Sequence, residues 1–198
     1  METWLSYRPA DLLMFSPESY LRLFERLNLA VWPGQVLLPA LAVGIVLLAT
    51  GRQHRAHRAA AAGLAAAWAL VTWRFFPLYA EINLAAHWLA AVFVAQSLLL
   101  LLTSADTGLR VDRRSAGWWP GLALLLWGMV LHPLAGLFAH RGAAGVELFA
   151  LAPDPTAIAT LGLVLMTAGP GRWRLAVLPV AWCAISAVTW WTLLASGS

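Results

Sequence analysis

Residues 143–168, AAGVELFALAPDPTAIATLGLVLMTA, contain two apolar pieces that meet at Pro153-Asp154-Pro155. Neither piece alone reaches the roughly 20 apolar residues that a helix needs to cross a bilayer. Proline lacks an N–H and restricts the preceding residue, so an α-helix cannot run through this junction. Two interpretations follow. One is a broken or re-entrant span whose half-helix ends face a ligand. The other is an outer loop that ends at Asp154 as the N-cap of a helix.

The composition identifies the environment of the chain. Of its 198 residues, 61% are hydrophobic and 11% are charged, whereas soluble domains average about 45–50% apolar and about 25% charged residues. A soluble domain of this size cannot bury so much apolar surface, and disordered chains are poor in apolar residues. The single cysteine, Cys183, excludes a disulfide-stapled fold. We therefore predict an integral membrane protein whose main partner is the lipid bilayer.

The basic charge does not indicate a nucleic-acid partner. The formal net charge is +4, and all 13 basic residues are arginines that lie mostly between apolar segments. Neither a basic run on a polar surface nor a strip of interleaved aromatic and basic residues accompanies them. We therefore expect no nucleic-acid binding and relate the arginines to membrane orientation.

Apolar segments of membrane-spanning length recur along the chain. The sequence predicts an all-α, polytopic transmembrane helix bundle of about six spans, of which the fifth is broken by prolines. We divide the chain into an amphipathic N-terminal segment, residues 1–28, and a transmembrane helical domain, residues 29–198. The predicted spans are residues 30–50, 59–79, 82–103, 118–139, 155–168 and 173–195.

The N-terminal segment has the pattern of a helix start. Ser16 suits the N-cap, Pro17 the first helical position, and Glu18 the positive end of the helix dipole. An apolar stripe follows at helical spacing, formed by Tyr20, Leu23, Phe24 and Leu27. We predict an amphipathic interfacial helix. The sequence leaves open whether its apolar face contacts lipid or the protein's own loops.

Arginine placement predicts the orientation in the membrane. The positive-inside rule assigns the arginines after the first, third and fifth spans to the cytoplasm. Both termini are then expected on the non-cytoplasmic side of a bacterial inner membrane. At the outer boundary we expect Arg74 to pair with Glu81, and Glu147 to be either an interfacial anchor or part of a polar vestibule above Asp154. The cytoplasmic set comprises Arg52, Arg55, Arg58, Arg110, Arg113, Arg114, Arg172 and Arg174.

Polar residues in the predicted outer half indicate a binding pocket. Ionisable groups within spans usually face the interior of the bundle, where they serve ion or substrate pathways. His87 and His132 lie at similar depths on neighbouring spans, and they are candidate ligands for a metal ion or a haem iron. The alternative is that they form interhelical hydrogen bonds. The predicted ligand- or ion-binding residues are Asp154, Thr156, Thr160, Asn83, His87 and His132.

Three sets of residues resemble a known family. They are Phe24-x-x-x-Asn28-x-Ala30-x-Trp32-Pro33, Ile82-Asn83-x-Ala85 and Pro153-x-Pro155-Thr156-x-Ile158-x-Thr160-x-Gly162. In order and spacing they resemble an uncharacterised bacterial multi-pass membrane family, the domain of unknown function six-zero-six-four, some of whose members are labelled permease-like. The resemblance covers nearly the whole chain and implies a membrane fold without a substrate.

The chain departs from this family at two positions. Many members have a cysteine where this chain has Asp154, and often an aromatic residue where it has His132. The resemblance therefore does not imply a thiolate metal site, although a carboxylate can bind a hard cation.

The sequence favours a transport-related function over catalysis. Phosphate loops, nucleophile elbows and paired catalytic acids on one face are missing, so the sequence leans against an enzyme and names no cofactor. The leading prediction is a small permease or channel-like protein for an ion or small solute. The alternatives are a non-catalytic accessory subunit of a larger membrane complex and a haem- or metal-binding membrane protein. Homo-oligomers or partner membrane subunits are compatible with these functions.

Overall fold

The computed structural model describes residues 15–105, 110–138 and 143–196, and over these residues the chain is almost entirely helical. A π-helical turn, Trp127–Leu131, joins α5 to α6. Two short strands, β1 Arg110–Val111 and β2 Thr167–Ala168, pair antiparallel with Arg110 opposite Ala168. The all-α fold class is confirmed. The helices are α1 Pro17–Val31, α2 Leu37–Thr50, α3 His54–Tyr79, α4 Ala86–Ala105, α5 Trp118–Leu126, α6 His132–Phe138, α7 Pro153–Met166 and α8 Arg174–Ser196.

Four helical segments among the described residues are long and apolar enough to cross a membrane, or five if one bent pair is a single span. The four are α3, α4, α5 continued through α6 (Trp118–Phe138), and α8. The bent pair is α1 with Gly34–Thr50, and α7 is apolar but has only 14 residues. By length and composition alone, the described residues therefore contain four or five candidate spans, fewer than the six predicted from the sequence.

The first predicted span, residues 30–50, includes a sharp bend. Helix α1 ends at Val31, and the chain turns by 93° before Gly34–Thr50. Trp32 leaves the helical region with ψ of 136°, because Pro33 disfavours helical backbone in the residue before it. As a result α1 lies across the end of the bundle, nearly perpendicular to α2.

Helix α1 is amphipathic, as predicted. The Ser16 hydroxyl accepts a 3.2 Å hydrogen bond from the Ser19 N–H, and Pro17 occupies the first turn. The predicted apolar stripe is at most 3% exposed and packs on aromatic side chains of α3 and α8. Protein therefore covers the apolar face of α1. Residues 1–14 of the predicted N-terminal segment lie outside the described residues.

Helix α7 forms the centre of the bundle and is buried along most of its length. It packs against α3, α5 and α8. The Trp68 indole N–H of α3 donates a 2.8 Å hydrogen bond to the Thr160 hydroxyl of α7. A buried central helix explains the absence of the charged face that a surface helix has.

Glycines of α5 and of the π-helical turn bring the backbone of this span into direct contact with α7. A Cβ at Gly121 would lie 2.6 Å from the Gly162 carbonyl oxygen, and one at Gly128 would lie 2.4 Å from the Pro155 carbonyl oxygen. Small residues allow such close packing between membrane helices. The two contacts fix an antiparallel register, which brings the start of α6 beside the start of α7.

Arginines from several predicted cytoplasmic connections meet at one end of the bundle, which we name the arginine-rich end. Arg58 donates a 3.1 Å hydrogen bond to the Ala105 carbonyl, and Arg113 donates a 2.5 Å hydrogen bond to the Thr50 carbonyl. Both carbonyls lie at helix C-termini, where cations are favourable. The opposite end, which we name the site end, carries α1, the turn between α3 and α4, and residues 143–152.

Candidate functional site

His132, Glu147 and Asp154 come together at the site end. His132 begins α6, Glu147 lies between α6 and α7, and Asp154 lies in the first turn of α7. The His132 Nε2 atom is 3.9 Å from Oε2 of Glu147, and one ligand atom from each of the three residues lies within 4.8 Å of the others. We name these three residues the acidic triad. An imidazole and two carboxylates in one space are a donor set for a cation.

The triad is largely closed to the surroundings. The Glu147 side chain is 3% exposed, Asp154 is 9% exposed, and the His132 side chain is 23% exposed. His132 is therefore the most accessible of the three side chains. Two carboxylates this close repel each other when both are ionised, and a bound cation offsets that repulsion.

Irregular backbone carries Glu147 to the triad. After a 3₁₀ turn, Ala143–Gly145, the chain continues without helix up to Ala152, and most of this segment is buried. At its tip Ala150 has a φ of 66°, a left-handed conformation that costs a non-glycine residue about 1–2 kcal/mol. The first apolar piece of the predicted broken span is thus not a half-helix. It is a buried, non-helical segment, which we name the inner loop.

Asn28 anchors the inner loop to α1. Its Nδ2 atom donates to the carbonyls of Ala144, at 2.6 Å, and Val146, at 2.9 Å. Asn28 is only 3% exposed, so these bonds are formed in a buried environment. Helix α1 therefore supplies a side-chain donor to two backbone carbonyls of this non-helical stretch of chain.

The π-helical turn, Trp127–Leu131, positions His132. It lies directly before His132-Pro133, where the proline ring would clash with the carbonyl of Met129, four residues earlier. A wider π turn relieves this clash and rotates the residues that follow. Such turns are frequently found at functional sites.

Asp154 is held by α8. Its Oδ1 atom accepts a 2.7 Å hydrogen bond from the Trp182 indole N–H, and its Oδ2 atom accepts a 2.5 Å hydrogen bond from the Ser186 hydroxyl. The N-cap of α7 is Ala152, so the alternative in which Asp154 is the N-cap is wrong. The aspartate instead lies in the first turn, where the helix dipole favours a negative charge.

The length of α7 separates the triad from the arginine-rich end. Twelve positions separate Asp154 from Met166, which corresponds to about 18 Å along the helix.

The two predicted threonines, Thr156 and Thr160, bind neighbouring backbone groups and Trp68 next to the site. The Thr156 hydroxyl donates to the Ala152 carbonyl, at 2.8 Å, and accepts from the Ala150 N–H, at 3.0 Å. The Thr160 hydroxyl accepts from Trp68 and donates to the Thr156 carbonyl at 2.9 Å. Both side chains are fully buried and stabilise the inner loop and α7.

The other two predicted residues lie on the turn and first helical turn that follow α3. Asn83 precedes α4, where its Oδ1 accepts from the Ala85 N–H at 2.8 Å and its Nδ2 donates to the Tyr79 hydroxyl at 2.6 Å. His87 is exposed in the first turn of α4. Among the described residues, the group of metal-ligating side chains contains His132 but not His87, and the predicted histidine pair stays a prediction.

An exposed ion pair also differs from the expected one. Glu81 pairs with Arg26 of α1 through two hydrogen bonds of 2.7 and 3.0 Å, and Arg74 donates instead to the Ala30 carbonyl at 3.2 Å. The Arg26 guanidinium lowers the pKa of the Glu81 carboxyl below its ordinary value. This pair ties α1 to the turn between α3 and α4.

Sequence reasoning missed several residues that build the site. Glu147 was predicted at the outer boundary, as an interfacial anchor or in a polar vestibule above Asp154, and not as a ligand. Asn28 was singled out only by the family resemblance. Trp182 and Ser186 had a usable signal, since a spacing of four places both on one face of α8. Nothing local in the sequence pairs that face with Asp154.

The fold and the site define a polytopic helical membrane protein with a buried acidic cluster at one end. The chain belongs to the family of unknown function DUF6064, whose family model matches residues 17–194. This match confirms the resemblance seen in the sequence. Neither a curated protein nor a solved structure matches the chain significantly.

Proposed function

We propose that this protein is a small permease-like protein of the bacterial inner membrane that binds a small cation at the acidic triad. The main observation in support is that His132, Glu147 and Asp154 converge on buried, partly non-helical backbone, with one ligand atom of each within 4.8 Å of the others. Broken helices that meet ion-binding side chains near the middle of the membrane are typical of secondary transporters.

The energetics of the triad support this function. A charged side chain at the centre of a bilayer costs about 2.5–3.5 kcal/mol on insertion scales, and such residues usually mark ion pathways. Here two carboxylates share one space, with Glu147 at 3% exposure. A cation in that space stabilises both charges at once.

The shape of the site supports exchange rather than permanent closure. His132, at 23% exposure, is the most accessible side chain of the triad. The positive-inside rule assigns the arginine-rich end to the cytoplasm, so the triad would open toward the outer face, with both termini on that same face. The inner loop and α1 then form the outer cover of the site.

The alternative function, an accessory subunit of a larger complex, requires that another chain cover part of the apolar surface. Exposed apolar side chains are numerous on α4 and α8, for example Leu102 at 68% and Val177 at 62%. Contact with lipid accounts for them, so they do not favour a protein partner over the bilayer.

Flux into liposomes tests the proposal. Purified full-length protein is reconstituted into liposomes, and entry of Na⁺, K⁺ and Co²⁺ is followed with ion-specific dyes or tracers. We expect at least one of these cations to enter faster than in protein-free liposomes. Asp154→Asn should remove that flux, because it removes one charge while retaining an oxygen that accepts from Trp182.

A matched variant controls for the loss of an acid. Glu25→Gln removes a carboxylate from the exposed face of α1, and its flux should equal that of the wild type. If none of the three cations enters faster, or if folded Asp154→Asn protein retains the full flux, the permease proposal fails.

A further inference from the structure

We infer that the acidic triad binds a divalent transition-metal ion, with His132, Glu147 and Asp154 as its three protein ligands. The inference rests on the proposed function, because it names the class of cation that the same site takes. It assigns a metal to the whole cluster and not to the predicted pair of histidines.

The spacing of the ligand atoms fits one metal ion. Nitrogen and carboxylate oxygen ligands lie about 2.0–2.2 Å from zinc, so two ligands of one ion lie about 3–4 Å apart. The His132 Nε2 and Glu147 Oε2 atoms are already 3.9 Å apart, and the three ligand atoms lie within 4.8 Å of one another. Side-chain rotations that move each ligand atom by less than about 1 Å bring all three atoms into contact with an ion at their centre.

The charge of the donor set favours a divalent ion. Two carboxylates and a neutral imidazole carry a charge of −2 when both acids are ionised. A divalent cation cancels it, whereas Na⁺ or K⁺ leaves one negative charge in a region where desolvated charge is costly. The site is therefore expected to discriminate by valence.

The imidazole favours a transition metal over Mg²⁺ or Ca²⁺. Those two ions prefer oxygen ligands, and Mg²⁺ also keeps much of its water shell. Imidazole suits Zn²⁺, Ni²⁺ and Fe²⁺, and Co²⁺ lies between Fe²⁺ and Ni²⁺ in the affinity order of divalent metals. His132 is thus the ligand that sets selectivity, and the carboxylates supply charge.

The residues around the triad hold the ligands in place. Trp182 and Ser186 each donate one hydrogen bond to Asp154, at 2.7 and 2.5 Å. A carboxylate has about four lone-pair positions, so both oxygens retain capacity for a metal. Partners that orient a ligand in this way are a regular feature of metal sites. Three protein ligands also leave a coordination position for water, which suits a site that exchanges its ion.

Equilibrium binding tests the inference without any flux measurement. Full-length protein without a histidine tag is placed in nanodiscs of zwitterionic lipid and titrated with Co²⁺, whose visible absorption reports coordination. We expect one equivalent to bind, with Mg²⁺ and Ca²⁺ competing at least about 100-fold more weakly. His132→Gln and Asp154→Asn should each weaken Co²⁺ binding by at least about tenfold.

Two histidine variants sharpen the assignment. His54→Gln removes a histidine near the arginine-rich end and should leave Co²⁺ affinity unchanged. His87→Gln should also leave it unchanged, and a loss equal to that of His132→Gln would overturn the triad in favour of the histidine pair. Thermal unfolding without metal shows that each variant is folded. If Asp154→Asn fails to fold, His132→Gln carries the test.

The outcomes separate this inference from the proposed function. Stoichiometric Co²⁺ binding that depends on His132, without flux of any cation, supports the metal site and contradicts the permease. Flux of Na⁺ or K⁺ that depends on Asp154, without Co²⁺ binding, supports the permease and overturns the metal site. Equal affinities for Co²⁺ and Mg²⁺, or binding unchanged by His132→Gln, also overturn it.

Discussion

The Trp182 indole N–H donates a 2.7 Å hydrogen bond to Oδ1 of Asp154, and this bond joins α8 to the first turn of α7. Both residues are largely buried, at 5% and 9% exposure. The indole N–H can only donate, and the carboxylate oxygen of Asp154 is its acceptor. The contact therefore ties the charge of the site to the packing of the bundle.

Replacing Trp182 with Phe should destabilise the protein, because it keeps an aromatic ring but removes the donor to Asp154. Hydrogen bonds to charged groups contribute about 1.5–3 kcal/mol, and we expect a loss in that range. Trp191→Phe on the same helix removes an indole that is 63% exposed, and should change stability by less than about 0.5 kcal/mol. Denaturant-induced unfolding in micelles measures both. Equal effects of the two variants would show that the bond to Asp154 is not a stabilising one.

Asn28→Ala should loosen the inner loop. The variant leaves the Ala144 and Val146 carbonyls without their side-chain donor, and an unsatisfied buried polar group costs about 1–3 kcal/mol. We expect faster amide hydrogen exchange across residues 144–152, with α3 and α4 unchanged. Glu25→Ala, on the exposed face of α1, serves as the control. Unchanged exchange in Asn28→Ala would mean that α1 does not hold the loop.

Two glycine-to-alanine variants should have opposite effects. In Gly128→Ala the new Cβ would lie 2.4 Å from the Pro155 carbonyl oxygen, so the π-helical turn and α7 must separate, at a cost of about 3 kcal/mol. In Gly44→Ala of α2 the new Cβ meets nothing within 4 Å, and alanine's helix preference should stabilise by about 0.5–1 kcal/mol. Unfolding free energies of the two variants provide the measurement. A Gly128→Ala protein with the unfolding free energy of the wild type and unchanged cation binding at the triad would contradict the close helix contact.

The Arg26–Glu81 ion pair should make stability depend on pH in the acidic range. Arg26 lowers the pKa of Glu81 from its ordinary value of 4.5 in the folded protein, so the unfolded state binds the proton at higher pH. The contribution is therefore complete above about pH 5.5 and is lost as pH falls through the folded pKa. The difference in thermal midpoint between wild type and Glu81→Gln should shrink between pH 5.5 and 3.

The same pair should respond to salt. Its side chains are 55% and 49% exposed, so added salt screens the attraction. The difference in thermal midpoint between wild type and Glu81→Gln at pH 7 should decrease as the salt concentration rises from a low value to about 1 M. For the pH series, a difference in thermal midpoint that grows as the pH falls would contradict the lowered pKa of Glu81.

Apolar run length allowed much of the helical framework to be predicted. The predicted end of one span at residue 79 and the predicted start of another at residue 118 coincide with Tyr79 and Trp118 in the structure. These limits are local, since a polar or turn-forming stretch follows or precedes each apolar run. The arginine-rich end could also be predicted, because basic residues cluster in the connections.

The site was predictable only in part. Asp154 and His132 stood out as ionisable groups within apolar segments, which is a local signal. Glu147 did not, because the inner loop that carries it is held by Asn28 of α1, more than 100 residues earlier in the chain. The bend before α2 has a local cause in Pro33, but its angle of 93° follows from the packing of α1 across the bundle.

The most direct test of the metal site is a crystal structure of the full chain grown with Co²⁺, with diffraction data collected at the cobalt absorption edge. We expect one anomalous peak between His132, Glu147 and Asp154, about 2.0–2.3 Å from a ligand atom of each. We also expect the peak to disappear in His132→Gln crystals. A cobalt peak at His87, or cobalt bound elsewhere with the triad empty, would contradict a metal site at the acidic triad.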